Sequence, residues 1–297
     1  MILMHPQLAA FLAVLDEGSF ESAARQLSIT QSAVSQRIKA LEDRLGQLLI
    51  VRRAPCSPTA AGQQLLRRVR PLQALESEVA DEFMPAGRQG QAHAVAIAVN
   101  DDSLATWVIA ALASLHSEHG YVLDVRVDDQ DHTLELLRNG SVLGAVTSEP
   151  RPLQGCNVHR LGAMRYVAIA APGFVQQYFG DGVSAASLAA APMLAFNRKD
   201  DLQARYMRKI TRAKLSPRVH YLPTSMGFVS AAAMGMGWCL APDTLAASAV
   251  ERGAVVLMDP ARHVDVPLYW QYSAVRSSTL QHITQAIRAA SAAAMHG

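Results

Sequence analysis

Leu8, Phe11, Leu12 and Leu15 recur at helical intervals until Gly18 ends the run, and Ser19 then offers its hydroxyl to the free amides of a following helix. Phe20, Ala23, Ala24 and Leu27 predict a short second helix with a narrow apolar face. After "SIT", Thr30 can cap a third, whose apolar positions Val34, Ile38, Leu41 and Leu45 keep helical spacing as far as Gly46. Two short helices joined by about three residues fit a helix-turn-helix. The next stretch, "QLLIVRRAPCSPTAAG", is β-prone, carries two arginines and ends in a proline-punctuated turn, which predicts a hairpin or wing. Over 59–84 the stripe Leu65, Leu66, Val69, Leu72, Leu75, Val79 and Phe83 predicts a long helix interrupted by Pro71. So small a neighbouring domain cannot cover such a stripe, and a partner chain is its natural cover. "PAGRQGQ", 85–91, reads as a linker.

From Val95 onward the period changes. "VAIAV", "VLDVRV" and "VLGAV" alternate with amphipathic stretches at 103–116 and 133–138, and later apolar runs at 166–170, 193–196, 238–241 and 268–272 are separated in the same way. That alternation predicts an α/β sheet covered by helices, with enough chain for two lobes and a cleft between them. The expected domains are a DNA-binding unit at 1–62, a linker helix and hinge at 63–92, and an effector-binding α/β unit at 93–297.

Charge sharpens this division. Between Arg25 and Arg70 nine basic residues face two acidic ones, so of a whole-chain net charge of +2 the remainder carries −5. A basic module that meets a polyanion is thus joined to an acidic one that meets something else. Cys56, Cys156 and Cys239 make no metal-ligand spacing or disulfide framework. No apolar run reaches the ~18 residues of a membrane span, so a cytoplasmic protein without membrane partners is expected. GxSxG, HExxH, P-loop and GxGxxG patterns are missing from the sequence, and its ten histidines are scattered; an enzyme is not expected.

On the third helix Ser32, Ser35, Gln36 and Lys39 share the side opposite Val34, Ile38 and Leu41, with Gln31 beside them. Glutamine can pair bidentately with adenine and serine can bond either base edge, while Arg37 and Lys39 can neutralise phosphates. Polar residues are ordinary on any surface helix. Here they coincide with a second short helix, the arginines Arg52 and Arg53 of the wing, and the concentrated charge.

The continuous stretch "FLAVLDEGSFESAARQLSITQSAVSQRIKALEDRLGQLLIVRR" and its following "T.AG" resemble the winged helix-turn-helix of LysR-type transcriptional regulators. The resemblance implies a homodimer formed through the long helix, often paired into a tetramer, double-stranded DNA as partner, possible contact with RNA polymerase, and an effector domain of periplasmic-binding-protein type. It carries base reading to Gln31, Ser32, Ser35 and Gln36 and gives Arg52 a minor-groove or phosphate contact. Many members have proline where Ser32 stands and arginine where Gln36 stands, which bears on the base sequence read. "VNDDSLATWVIAAL", "VLGAVTSEPRPLQGC", "LGAMRYVAIAAPGF" and "VPLYW" further resemble the ArgP branch, also described as LysG or IciA. That likeness implies lysine or arginine as effector and control of a basic amino acid exporter, with no cofactor. The alternative is another small effector, such as an organic anion.

From the residues themselves, Ser103 opens a helix after a strand and Thr147, Ser148, Thr224 and Ser225 stand at comparable strand ends and helix starts, where hydroxyls and free amides suit an amino acid's carboxylate and ammonium. A basic side chain also needs a carboxylate, for which Asp129 and then Asp102 are the first candidates among Asp101, Asp102, Asp128, Asp129, Asp131 and Glu149. Trp107 belongs to the core.

Overall fold

The computed structural model describes residues 4–83, 95–127 and 130–297. The chain opens with α1 (Pro6–Glu17), α2 (Phe20–Gln26) and α3 (Gln31–Leu45). Ser19 Oγ accepts the Ser22 amide and Thr30 Oγ1 accepts the Ala33 amide, so the expected hydroxyls start the second and third helices. Gly18 and Gly46 end α1 and α3 in the left-handed region. Phe11, Val14, Val34 and Ile38 close the three-helix core with Leu49 and Ile50. The wing is the antiparallel pair β1 (Ile50–Val51) and β2 (Ser57–Pro58). α4 (Ala60–Phe83) follows, passing helically through Pro71. Gly62 lets α4 touch the wing, since a Cβ there would meet the Leu49 carbonyl oxygen. Arg70 pairs with Asp16 and ties α4 back to α1. Further along, Leu72, Val79 and Phe83 stay exposed.

The second half begins with β3 (Val95–Val99), whose end leads into α5 (Asp101–Ser103), a π-helical turn (Leu104–Val108) and α6 (Ile109–His119). β4 (Leu123–Val127), α7 (Gln130–Arg138) and β5 (Gly144–Thr147) complete a parallel unit in which β3 lies between β4 and β5. β6 (Cys156–Ala170) then runs into the other lobe, formed by α8 (Pro172–Phe179), α9 (Ala185–Ala190), β7 (Met193–Ala195), α10 (Leu202–Arg208), β8 (Val219–Tyr221), α11 (Ser225–Ala233), β9 (Cys239–Pro242), α12 (Asp243–Glu251) and β10 (Val256–Leu257). β11 (His263–Ser273) returns to the first lobe, and α13 (Ser278–Ala294) packs there on α6.

β6 and β11 belong to both lobes. They pair antiparallel along nearly their whole length, and β11 joins β5 through Tyr269–Tyr272 while the far half of β6 takes β9 and β10. At the crossover the register shifts between Leu268 and Tyr269, opposite Gly162, whose φ of 128° lies outside what other residues readily adopt. Trp238, Trp270 and Tyr206 are fully buried, and Trp107 lies in the same core. The expected α/β alternation is present as a mixed sheet: β3 pairs parallel with β4 and β5, β7 and β8 form a small parallel ladder, and the long crossing strands are antiparallel.

Candidate functional site

Two places on the chain gather functional chemistry. The first is the outer side of α3. Its inner residues Val34, Ile38 and Leu41 are buried, which turns Gln31, Ser32, Gln36 and Lys39 outward and leaves Ser35 and Arg37 half-buried. Ser32 Oγ lies 3.0 Å from Thr30 Oγ1, beside the capped helix start. The wing is held against this helix by a buried carboxylate: Glu42 Oε1 accepts the Leu49 amide at 2.8 Å and the Ile50 amide at 3.4 Å. Its other oxygen lies 3.6 Å from Arg52, and the Arg52 guanidinium sits over the Phe20 ring. Arg52 is therefore braced by α2 and α3 before any nucleic acid arrives, whereas Arg53 projects freely from the wing. Glu42 and its brace were missed in the sequence, although an acidic residue on the buried side of a helical pattern is a visible anomaly.

The second place is a cleft of about 490 Å³ between the two lobes. From the first lobe come Asn100, Asp101, Asp102 and Ser148; from the second come Tyr166, Ser225 and the loop between β7 and α10. Four aspartates (Asp101, Asp102, Asp200, Asp201) face two cations, Lys199 and Arg205, and Phe196, Phe228 and Leu240 supply apolar wall. The loop is tied to itself: Asp200 accepts the Phe196 and Leu202 amides, and Asn197 accepts those of Lys199 and Asp200.

Asn100 is 3% exposed, and neither its side-chain oxygen nor its nitrogen has a partner. An amide so buried is costly to leave unpaired, so a polar occupant is the natural partner. Asp102 keeps part of its surface open to the cleft while its carboxylate is enclosed. Removal from water pushes its pKa up; hydrogen bonds from Ser225 and Tyr166 oppose that shift, and the charges of Asp101 and Asp200 add to it. The Tyr166 hydroxyl donates to Asp102 Oδ2 at 2.6 Å, and burial first and Asp102 second raise the phenol's own pKa.

Of the expected effector residues, Asp102, Ser148 and Ser225 come together in the cleft and three others do not. Ser103 is completely buried, because Asp101 and Asp102 take the cleft-facing positions at the helix start. Thr147 is buried and accepts the Glu149 amide, and Thr224 spends its hydroxyl capping α11 at the Gly227 amide. The helix start expected to favour a carboxylate thus carries two carboxylates of its own, and its electrostatics favour a cation. Asp129, with Asp128, lies outside the described residues. Glu149 accepts the Arg151 amide and is not part of the cleft lining. Asn100, Tyr166 and the 196–205 loop were missed. The signal for the loop was the charge run "NRKDD" directly after a strand.

A winged helix-turn-helix joined by a long helix to a two-lobed domain with a polar cleft defines a ligand-responsive DNA-binding regulator. Family models agree: that for bacterial regulatory helix-turn-helix proteins of the lysR family matches residues 5–63, and that for the LysR substrate binding domain matches residues 88–292. The chain belongs to the LysR family of transcriptional regulators, in the branch of the ArgP and LysG proteins; members bind DNA and form oligomers. The HTH-type transcriptional regulator LysG of Mycobacterium tuberculosis is 46% identical over 292 residues, covering 98% of this chain and 95% of that protein. The lysine export transcriptional regulatory protein LysG of Corynebacterium glutamicum is 41% identical over 286 residues, 96% and 97% of the two chains. Among solved structures, ArgP from M. tuberculosis superposes with a TM-score of 0.86 at 46% identity over 99% of both chains. Full-length LysG from C. glutamicum with bound effector Arg gives 0.76 at 39% identity, covering 99% of this chain and 100% of that one. These relatives are regulators and not enzymes.

Proposed function

We propose that this regulator responds to a free basic amino acid, arginine or lysine, held in the interlobe cleft, and controls an exporter of such amino acids. The observation that carries the reading is the excess of aspartate over cationic lining beside the unpaired amide of Asn100. The ligand's side-chain cation faces Asp101 and Asp102, its methylenes lie along Phe196, Phe228 and Leu240, and its α-carboxylate turns to Lys199 and Arg205. Asn100, Ser148 and Ser225 supply the polar contacts. Support comes from the C. glutamicum relative LysG, described as a lysine export regulatory protein and solved with bound effector Arg. An organic anion would have only Lys199 and Arg205 to meet it, against four carboxylates.

In the same reading the chain divides at 1–62, 63–92 and 93–297. Gln31, Ser32, Ser35 and Gln36 read base edges, while Arg37, Lys39, Arg52 and Arg53 meet phosphates. Two copies pair through the exposed stripe of α4, a pair of dimers forms the tetramer, and the DNA-bound assembly works in the cytoplasm beside RNA polymerase. Calorimetry of the full chain with a panel of amino acids, followed by footprinting on its own promoter region, tests this. Saturable binding of arginine or lysine with an altered footprint is expected. Binding of neither, with an unchanged footprint, would refute it.

A further inference from the structure

We propose that Asp101 and Asp102 are both the cation seat of the cleft and the clasp between its lobes, so that the effector's positive charge closes the lobes by removing a repulsion built into that clasp. The inference rests on the basic-effector reading above and adds the switch that reading leaves unnamed.

Asp101 and Asp102 stand at the end of β3, in the first lobe. Their hydrogen-bond donors, on Ser225 and Tyr166, come from the second. The backbone N–H of Ser225, the first residue of α11, donates to Asp101 Oδ2 at 2.6 Å. The Tyr166 hydroxyl, on the half of β6 that pairs with β9, donates to Asp102 Oδ2 at 2.6 Å. Two short bonds to ionisable acceptors therefore cross the cleft side by side, at a distance along β6 from the Gly162 crossover where the lobes are covalently joined.

The same contacts bring like charges together. Asp101 sits beside Asp102, and Asp200 approaches from the second lobe closely enough to disfavour ionisation of Asp102. Asp200 has its carboxylate anchored to the backbone of its own loop, so it cannot swing away cheaply. Closing the lobes makes two hydrogen bonds and drives three carboxylates together; opening them reverses both. Both of these bonds use Oδ2, and Ser225 also hydrogen-bonds Asp102, so Oδ1 of Asp101 is the carboxylate oxygen left for a ligand. A cation there neutralises the repulsion without displacing either donor. A ligand shifts a conformational equilibrium only by its preference for one state, and a positive group between these carboxylates prefers the closed one.

Tyr166 is in this sense a positioning residue, 1% exposed, with Asp102 its hydrogen-bond acceptor. Asp101 sets the charge. The two roles separate in Asp101→Asn, which removes a negative charge while keeping an oxygen for the Ser225 amide, and Tyr166→Phe, which removes the donor and keeps the charge.

Hydrogen exchange at the Ser225 amide reads the clasp directly in the full-length protein. Without added amino acid, Asp101→Asn should slow exchange at Ser225 by roughly fivefold, the size of one weakened like-charge contact. Tyr166→Phe should quicken it and raise the arginine concentration needed for protection by roughly tenfold. Arginine should protect Ser225 in the native protein and add little in Asp101→Asn. If arginine binds but Ser225 exchange is the same with and without it, and unmoved by either substitution, the clasp is wrong while the effector reading stands. If both substitutions act as described and neither arginine nor lysine binds, the clasp stands and the effector reading, with its trigger, falls. Should Asp101→Asn unfold, Asp200→Asn tests the same repulsion from the opposite lobe and should also slow exchange; quickened exchange in a folded Asp200→Asn protein would overturn the proposal.

Discussion

Glu42 in the reading head and Asn100 in the cleft are buried polar side chains treated in opposite ways. In the head, Glu42 is buried and both of its oxygens are engaged, by two wing amides and by Arg52. In the cleft, Asn100 is equally buried and neither side-chain polar atom is engaged. The Glu42–Arg52 brace is in place before the head meets DNA, as the support of a surface that must hold register against base edges has to be. The amide of Asn100 is left for a polar occupant of the cleft to satisfy. A braced arginine at the reader and an unsatisfied amide at the sensor suit a regulator that responds to a ligand.

The strongest way to break this comparison is to disable the cleft and watch the head. Asp102→Asn should cost about 2–5 kcal/mol of effector affinity, because the ligand's cation loses an enclosed partner. DNA affinity without effector should stay as it was. The two are measured by calorimetry and by mobility shift, and a matched loss in both would mean that the halves are not separable as described.

The next largest effect works in the reverse direction. Glu42→Ala strands the Leu49 and Ile50 amides and frees Arg52, at about 1–3 kcal/mol for each unpaired buried donor. Urea unfolding should show the reading head melting earlier, and DNA affinity should fall on every sequence. Effector binding by the α/β half should persist; its disappearance would contradict the independence of the two cores.

Within the head, Gln36→Ala should relax discrimination at one base position by about 1–3 kcal/mol. Lys39→Ala should weaken all sequences alike and lower the salt slope by about one unit. Titrations against single-base operator variants at several salt concentrations separate them, and identical behaviour would remove the division between base reading and phosphate contact.

How far each half could be read from the sequence follows from the same contrast. The head is built from contacts close in the chain: Ser19 and Thr30 cap the helices they precede, Gly18 and Gly46 stop them, and the interval from Val34 to Leu41 fixes which side faces out. All of this is local. The cleft is assembled by pairing between distant strands, and strand-end reasoning reached Asp102, Ser148 and Ser225 because those lie where parallel units place ligands. It could not reach Tyr166, which sits mid-strand in β6 and meets Asp102 only because β6 passes into the second lobe. Nor could it distinguish Ser103 from Asp102 at one helix start, since one residue of rotation separates a buried side chain from a cleft-facing one. The first ten residues of β6, from Cys156 to Arg165, escaped notice because their strand character comes from pairing with β11.

The smallest effect expected is a pH dependence, and its sign sharpens the contrast. Asp102 has a folded-state pKa above its unfolded value, chiefly from loss of water, with Asp101 and Asp200 adding repulsion, Ser225 and Tyr166 opposing it, and Lys199 and Arg205 the cations of the same lining. A raised acidic pKa means that the native state holds the proton longer than the unfolded chain does. The ligand-free protein therefore gains stability from this group at low pH and loses it as pH rises through the folded-state value. Cation binding needs the ionised carboxylate and runs the other way: arginine affinity should rise with pH, by no more than tenfold per unit for one proton, and level off once Asp102 is fully ionised. Calorimetry from pH 5 to 8, in two buffers of different ionisation heat, should register proton release on arginine binding at the acid end. Proton uptake there, or affinity that falls as pH rises, would show that the cation is not seated on Asp102.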